Sequence, residues 1–275
     1  MAKTLSLSDL LRLQFSTLES MDLGTLSRLE PILRNAQNEL RGELDKYARG
    51  TFSHAQRRHT LTLINRALVQ LHNRNVSEMQ SWAQEFNEFG VEVANKEVRD
   101  FQREAGLSIP NIRKDTVSLQ HNDFLINTMQ ASLEKHSVDT RMQVSRGLTD
   151  AVIQRKSGYE VTGRLGKYID LKKYQIQRIV RTEMSRIFNQ TKFITYGEFN
   201  KSTLFKGSLM KRMFHPMDNR TADDSKQWAQ ADPAIPMHEP FRLKLRNGKI
   251  QEGMTPPMRP NDRAVLMPFH KSWKE

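Results

Sequence analysis

The sequence predicts a mainly α-helical protein with a small α+β region in its C-terminal part: an N-terminal helical bundle, a long helix, and a basic domain that contains a β-hairpin. Three observations predict this fold class. Apolar residues recur at spacings of three and four through roughly the first 200 residues, as on one face of a helix. Of the 10 prolines, eight lie between Pro216 and Pro268, and proline breaks helix interiors. Apolar and basic residues alternate from Phe241 to Arg246, directly before the hairpin signal Asn247-Gly248.

The basic charge is confined to the second half of the chain. The 275 residues include 43 Lys+Arg and 31 Asp+Glu, which gives a formal net charge of +12. Residues 1–150 hold 19 of each sign, whereas residues 151–275 hold 24 basic against 12 acidic residues and carry the whole excess. We therefore expect a polyanionic partner, most often nucleic acid, for the second half.

The composition excludes several classes of protein. Without cysteine the chain has no disulfide framework, thiolate nucleophile or iron–sulfur cluster. It has no run of about 18 uncharged apolar residues, so we expect no membrane span, and its first residues lack the apolar core of a signal peptide. The glycines at 158 and 163 are not followed by the Gly-Lys-Ser/Thr of a phosphate-binding loop.

The sequence predicts that residues 1–156 form a helical region that acts as a docking element or as a scaffold. Helices are predicted from Ser8, over 24–50, from the cap Ser53 and, more weakly, over about 115–155. Apolar residues at helical spacing usually form the interior of a bundle or helical hairpin. The alternative is a partly exposed stripe that docks on a partner helix. The main stripe consists of Leu61, Ile64, Leu68, Leu71, Met79, Trp82, Phe86 and Phe89.

A glycine-containing connector over 157–169 is predicted to be a loop, and Asp170 is predicted to cap a long helix that runs to about Gly197. On this helix Glu183 lies at the edge of the apolar stripe. A carboxylate there must be paired or lose its charge. Either it reaches solvent, or it forms an ion pair with an arginine of the basic C-terminal part.

The last region, residues 170–275, predicts a small basic domain after the long helix. Leu209–His215 reads as a strand, and Thr221–Ala229 as a short helix whose first turn is acidic. The alternation from Phe241 to Arg246 and the turn at Asn247-Gly248 then predict a β-hairpin.

One face of this predicted hairpin is basic. The face is either simply solvated or contacts the phosphates of DNA without sequence preference, in which case binding weakens steeply as salt rises. The candidate DNA-binding set consists of Lys211, Arg212, Arg242, Lys244, Arg246 and Lys249.

Four blocks of residues follow one another over roughly residues 170–270. The first block, on the long helix, consists of Arg181, Thr182, Glu183, Arg186 and Asn189. The second block is the polar turn Asp218, Arg220 and Thr221. The third block consists of Pro236, Glu239, Pro240 and Phe241. The fourth block consists of Pro256, Pro257, Pro260, Asn261 and Arg263.

In this order the blocks resemble the bacteriophage head-morphogenesis family of minor head proteins, the Mu F-like proteins among them. The resemblance implies a capsid protein of the virion head interior, made in the host cytoplasm, that joins the procapsid near the portal in few copies. It implies the portal protein as a partner, with scaffold or major capsid protein as further candidates, and packaged double-stranded DNA. It does not extend in detail to the N-terminal helices.

The chain departs from the family pattern where family members carry a histidine and two cysteines that look able to hold a metal. Here these positions are Arg259, Asp262 and Ala264, so we expect no bound metal. We further predict that Glu183 pairs with Arg263 or Arg220 and so ties the long helix to the C-terminal motif.

Two alternatives remain open. One is an internal or ejected DNA-binding protein of the virion that has no assembly role. The other is a metal-dependent nuclease, whose candidate ligands or bases are His215, Asp218, Asp223, Asp224, His238 and Asp262. Turn and cap hydrogen bonds also explain these carboxylates. The sequence therefore predicts a protein that is not an enzyme, with no catalytic residue and no cofactor.

Overall fold

The protein is mainly helical, with small antiparallel sheets in its C-terminal part, and this confirms the predicted fold class at that level. The computed structural model describes residues 15–16, 19–20, 24, 27, 31, 34–35, 38–39, 42, 45–46, 51, 53–104, 119–231, 234–260, 262–271 and 273. The helices predicted from Ser8 and over 24–50 fall largely outside these residues. The continuous helices among these residues are α1 (His54–Glu104), α2 (Leu119–Ile153), α3 (Gly158–Lys201) and α4 (Asp223–Ala231). The strands are β1 (Met210–Phe214), β2 (Ile235–Pro236), β3 (Phe241–Lys244), β4 (Ile250–Gly253) and β5 (Val265–Phe269).

The chain divides into two compact units, each built from separated segments. The C-terminal unit consists of Met1–Asp22, Trp82–Leu125 and Arg181–Glu275, and the helical unit of Leu23–Ser81 and Ile126–Val180. Helices α1 and α3 therefore each supply residues to both units. The predicted division into residues 1–156, a connector and residues 170–275 follows the chain in order and does not capture this interleaving. Packing between segments a hundred residues apart has no local signal in the sequence.

Helix α1 begins at a capping box. The backbone N–H of Gln56 donates to Ser53 Oγ at 3.2 Å, and the N–H of Ser53 donates to Gln56 Oε1 at 2.7 Å. This reciprocal pair satisfies two N–H groups that a helix start otherwise leaves without partners, and it confirms Ser53 as the cap. The helix then runs for 51 residues, and the polar stretch 73–75 does not interrupt it.

Helix α3 begins at Gly158, so the predicted loop over 157–169 and the predicted cap at Asp170 are both wrong. The reason is a second capping box. The N–H of Glu160 donates to Ser157 Oγ at 3.3 Å, and the N–H of Ser157 donates to Glu160 Oε2 at 3.0 Å. A glycine inside a helix costs only about 1 kcal/mol relative to alanine, so glycines alone do not prevent a well-capped helix.

Within the C-terminal unit, α1 and α3 approach closely at Gly90. A Cβ atom at this position would lie 3.0 Å from Thr191 Cβ and 3.1 Å from the carbonyl oxygen of Phe188. The rings of Phe89 and Phe188 stack beside this point with their centroids 5.2 Å apart. The absence of a side chain at Gly90 therefore allows the two helices to pack at this distance.

Strand β1 lies at the centre of a three-stranded antiparallel sheet, between β2 and β5. It pairs with β5 along its whole length, from Met210 opposite Phe269 to Phe214 opposite Val265. The predicted strand Leu209–His215 is confirmed within a residue at each end, and the predicted short helix is α4.

Strands β3 and β4 form the predicted hairpin, with Phe241 opposite Gly253 and Lys244 opposite Ile250. The turn that joins them places Gly248 at φ 79°, and its N–H donates to the carbonyl of Leu245 at 2.9 Å. A left-handed glycine after such a turn is a common way to close a hairpin with three loop residues.

The core of the C-terminal unit is built from apolar side chains of helices α1 and α3, strands β1, β3 and β5, and the loops between them. The stacked rings of Phe101 and Trp273, 4.7 Å apart, join α1 to the segment after β5. Core residues include Ala94, Val98, Tyr196, Phe199, Leu209, Met213, Phe241, Leu243, Met258 and Leu266. The four sequence blocks lie around this core, which positions the candidate site.

Candidate functional site

The last residue of the first block, Asn189, ties α3 to the backbone around β5. Its Nδ2 donates to the carbonyl of Ala264 at 3.1 Å, and its Oδ1 accepts from the N–H of Leu266 at 2.7 Å. Nδ2 also contacts the carbonyl of Ser185 within the helix at 2.9 Å. Asn189 is fully buried, so these bonds replace water on both backbone groups. This side chain joins the first block to the end of the fourth.

The second and fourth blocks meet in a two-bond ion pair between Asp218 and Arg263. Arg263 Nη1 donates to Asp218 Oδ2 at 2.8 Å, and Nη2 donates to Oδ1. The same carboxylate accepts the N–H of Arg220 at 3.0 Å and lies 3.2 Å from the Thr221 hydroxyl. The hydrogen bond from Arg263 is the main reason that the pKa of Asp218 lies well below its ordinary value. The carboxylate therefore organises the turn of the second block and binds it to the fourth.

Glu183 does not pair with Arg263 or Arg220, and that prediction is wrong. Its carboxylate binds Arg186, three residues further along the same helix. Arg263 is taken by Asp218, while Arg220 contacts Glu19 at 3.0 Å. An arginine one helical turn away reaches the carboxylate without any long-range placement of the chain, and it competes well with distant partners.

Arg259, one of the departures from the family pattern, binds the start of α4. Its Nη1 donates to Asp224 Oδ2 at 2.8 Å and its Nη2 to Oδ1 at 2.6 Å; Nη2 also contacts Ser225 Oγ. The hydrogen bond from Arg259 is the main reason that the pKa of Asp224 is lowered. A charged pair therefore holds the loop of the fourth block against α4.

Asp262, the second departure, is buried and accepts hydrogen bonds from its own loop. Its Oδ2 accepts the N–H of Met258 at 2.8 Å and its Oδ1 the N–H of Ala264 at 3.1 Å, while His215 Nδ1 lies 3.5 Å from Oδ1. Burial, the largest influence, raises the pKa of Asp262. The hydrogen bond and charge of His215 and the two N–H groups nevertheless hold the pKa below its ordinary value. Asp262 thus orders the loop and links it to the residue after β1.

The other block residues take varied positions. Arg181 and Glu239 are exposed, Thr182 is buried, and Pro236 pairs with Met210 in the sheet. Phe241 lies in the core, with its ring edge-on to Trp228 at 5.6 Å. Pro257 is half-buried after a cis peptide bond, and Pro260 is exposed. Asn261 lies outside the described residues.

Lys211 does not belong to an exposed basic face, and its inclusion in the candidate DNA-binding set is corrected. The side chain is 0% exposed, and its Nζ donates to the carbonyl of Met254 at 2.9 Å. Nζ also lies 4.7 Å from the ring centre of Phe193 and 4.9 Å from that of Phe241. Burial lowers the pKa of Lys211 to about 8. Side chains alternate across a strand, so Lys211 shares the inner face of β1 with Met213.

Arg212, on the opposite face of β1, is half-buried. Its guanidinium carbon lies 3.9 Å from the ring centre of Phe269 on the neighbouring strand β5, in a cation–π arrangement. The residue lies against the sheet, apart from the hairpin that carries the remaining basic candidates.

The exposed members of the set lie on the β3–β4 hairpin. Phe241 and Leu243 are buried while Arg242, Lys244, Arg246 and Lys249 are exposed, which confirms the predicted alternation. Two of these cations carry ion pairs, since Arg242 Nε lies 3.0 Å from Glu252 Oε1 and Arg246 contacts Asp223. We call Arg242, Lys244, Arg246 and Lys249 the hairpin cations.

A buried charged cluster between α1 and α3 is absent from the sequence predictions. Lys192 Nζ donates to Glu97 Oε1 at 2.8 Å, and the Tyr196 hydroxyl donates to Glu97 Oε2. Burial is the largest influence on both donors; it lowers the pKa of Lys192 and raises that of Tyr196. One sequence signal could have indicated that Lys192 is buried. It lies one helical turn after Phe188 and one before Tyr196, on the apolar face of the helix. Its partner, 95 residues earlier, has no such signal.

The carboxylates considered for a nuclease site are engaged with neighbouring side chains. Asp218, Asp224 and Asp262 bind Arg263, Arg259 and His215, as described above, and Asp223 binds Arg246. Within the described ranges, no group of three or more His, Asp or Glu side chains is placed to hold a metal ion.

Comparison with known proteins gives no relative: no family model, no curated protein and no solved structure matches the chain. Among the residues that the structure describes, no helix is both long enough and apolar enough to cross a membrane.

Proposed function

We propose that the protein is a bacteriophage minor head protein that acts in head morphogenesis near the portal, inside the virion head. In this proposal its C-terminal unit faces the packaged double-stranded DNA, and its other helices bind a protein of the head. The portal is the first candidate for that protein, and scaffold or major capsid protein is the second.

The observation that carries the proposal is the convergence of the sequence blocks. Asn189 of the first block binds the backbone of Leu266 just after the fourth, Arg263 of the fourth binds Asp218 of the second, and Phe241 of the third lies in the same core. These contacts join residues far apart in sequence, Asn189 and Leu266 being 77 positions apart, so members of the blocks help to hold one unit together. The resemblance therefore rests on residues that hold one framework together.

The charge distribution supports the assignment of roles. The first 150 residues are electrically balanced, as suits a surface that binds protein, whereas the whole excess lies in the second half. Within that half, the cations of the hairpin are exposed, which supports their contact with DNA phosphates; such contacts carry no base-sequence information.

The test combines binding with assembly. The tagged full chain is incubated with portal protein, and separately with major capsid protein, from the phage that encodes it; we expect capture of the portal. In parallel, the gene is deleted from that phage and restored on a plasmid. We expect few DNA-filled heads without it and recovery with the wild-type copy.

Two results would overturn the proposal, and each points elsewhere. Binding to DNA without binding to the portal, together with normal heads in the deletion phage, indicates an internal or ejected DNA-binding protein. Magnesium-dependent cleavage of DNA that Asp218→Ala abolishes indicates a nuclease. The matched control for the second result is Glu198→Gln, which also removes a cation-bound carboxylate but lies outside the candidate nuclease residues.

A further inference from the structure

The four hairpin cations are not equivalent, although the sequence presents them as one face. Arg242 and Arg246 are 69% and 72% exposed, yet Glu252 and Asp223 hold their guanidinium groups in ion pairs. The structure records no ion pair for Lys244 or Lys249, which are both described and exposed. The hairpin therefore presents two cations with local carboxylate partners and two without them.

The carboxylates compete with phosphate for the same donors. Glu252 lies directly opposite Arg242 in the strand pairing and is 51% exposed, while Asp223 opens α4 and is 62% exposed. Exposed pairs of this kind are weak, so an approaching phosphate replaces the carboxylate at a small cost. Until that happens, each carboxylate cancels the arginine and repels the phosphate.

We propose that Glu252 and Asp223 act as built-in competitors that weaken and tune the binding of the hairpin to nucleic-acid phosphates. Lys244 and Lys249 make the first phosphate contacts, and Arg242 and Arg246 join them by exchanging carboxylate for phosphate. The partner is double-stranded DNA, bound through its backbone. The inference deepens the proposed function and rests on its DNA-facing part.

Weak, exchangeable binding of this kind suits a surface along which DNA moves. The contacts carry no sequence information, since they go to phosphates alone. Each displaced carboxylate takes up cations from solution, so binding releases fewer ions overall than four phosphate contacts alone would, and affinity falls less steeply with salt.

The experiment measures the affinity of the full chain for a duplex of random sequence, by fluorescence anisotropy at several salt concentrations. The variants are Glu252→Gln, Arg242→Gln and both together. We expect Glu252→Gln to tighten binding about two- to fivefold, the equivalent of one exposed ion pair. We expect Arg242→Gln to weaken binding more when residue 252 is already Gln, with a coupling of the same two- to fivefold.

The matched control is Glu198→Gln, which breaks another exposed ion pair, with Lys201 on α3, and adds the same charge. We expect it to change affinity by less than about 1.5-fold, because screening limits the effect of charges away from the bound phosphates. An equal gain in this control, or additive effects of the residue 242 and 252 substitutions, overturns the competition.

The cycle of Asp223→Asn with Arg246→Gln repeats the measurement at the second pair, so the answer does not depend on one variant. If the wild-type chain does not bind the duplex at about 50 mM salt, the inference and the DNA-facing role both fail. Portal binding is measured separately and decides the assembly role by itself, so the two failures are distinguishable.

Discussion

The side chain of Asn189 on α3 accepts a hydrogen bond from the backbone N–H of Leu266 on β5, at 2.7 Å and across 77 residues of sequence. Together with the bond to the carbonyl of Ala264, it closes a helix onto a strand through a single amide group. An amide side chain carries a donor group and an acceptor group on separate atoms, which suits it to bind both the carbonyl and the N–H of a backbone segment.

We predict that Asn189→Ala destabilises the C-terminal unit by about 2–4 kcal/mol, because it leaves a buried N–H and a buried carbonyl without these partners. All 3 tryptophans lie in this unit, so their fluorescence during urea unfolding reports on it. The control is Gln227→Ala on the exposed side of α4, for which we expect a change within about 0.5 kcal/mol. Similar losses of unfolding free energy in the two variants would show that the hydrogen bonds of Asn189 contribute little to stability.

The buried Lys211 leads us to predict that the stability of the protein depends on pH in the alkaline range. Burial lowers its pKa from 10.5 to about 8, so between these values the unfolded chain binds a proton that the folded chain has lost. The contribution of Lys211 to the free energy of unfolding therefore rises with pH between these two pKa values, by about 3 kcal/mol in total. We expect the unfolding free energy of wild type minus that of Lys211→Met to rise from pH 7.5 to 10.5. A difference that stays constant contradicts a buried, charged Lys211.

Asp218 leads to a pH dependence of the same sign at acid pH. Its pKa in the folded state lies below the ordinary value, so its contribution is present above about pH 4 and is lost as pH falls through the folded-state pKa. The side chain is 40% exposed, so screening limits the effect to about 1 kcal/mol.

This acid dependence is measured on Asp218→Asn, whose unfolding free energy we expect to be lower than that of wild type at pH 7 and to converge with it at low pH. Asp223→Asn, at a more exposed pair, serves as the control and should differ from wild type by less than about 0.5 kcal/mol. A gap for Asp218→Asn that persists unchanged at pH 2 rules out the ion pair as its origin.

The buried cluster predicts strong coupling between α1 and α3. Lys192→Met leaves Glu97 in the core without its cation and should cost about 3–5 kcal/mol. Adding Glu97→Gln removes the buried charge, so the double variant should recover a large part of this loss. The same substitution at Lys201, whose pair with Glu198 is exposed, should cost no more than about 1 kcal/mol. Additive losses at Glu97 and Lys192 contradict the coupling.

Local chemistry explains which elements were predictable. The hairpin follows from the alternation after Phe241 and from Gly248, and the start of α1 follows from Ser53, because each signal lies within a few residues of the structure it produces. The capping box at Ser157 was equally local. Three glycines nearby favoured a loop, and the structure shows that the cap outweighs them.

The partner and the burial of a charged side chain depend on the packed structure, and here the sequence predictions are wrong or incomplete. The sequence predicts a distant arginine as the partner of Glu183, and the structure shows one three residues away; the partner of Lys192, in contrast, lies 95 residues away. The sequence predicts Lys211 among the surface cations, but Leu209 and Met213, two residues before and after it, lie on the same buried face. The alternation along a strand shows which side chains share a face. Only the packed structure shows which of the two faces is buried.

The interleaved segments of the C-terminal unit have a consequence for its synthesis. The ring of Phe101 stacks on that of Trp273, so the core cannot close until the ribosome has added the later residue, 172 positions further on. Until then the apolar face of α1 that packs there is uncovered and open to other apolar surfaces. This unit therefore matures only after Trp273 has been synthesised, which gives chaperones or an early assembly partner a period in which to bind the chain.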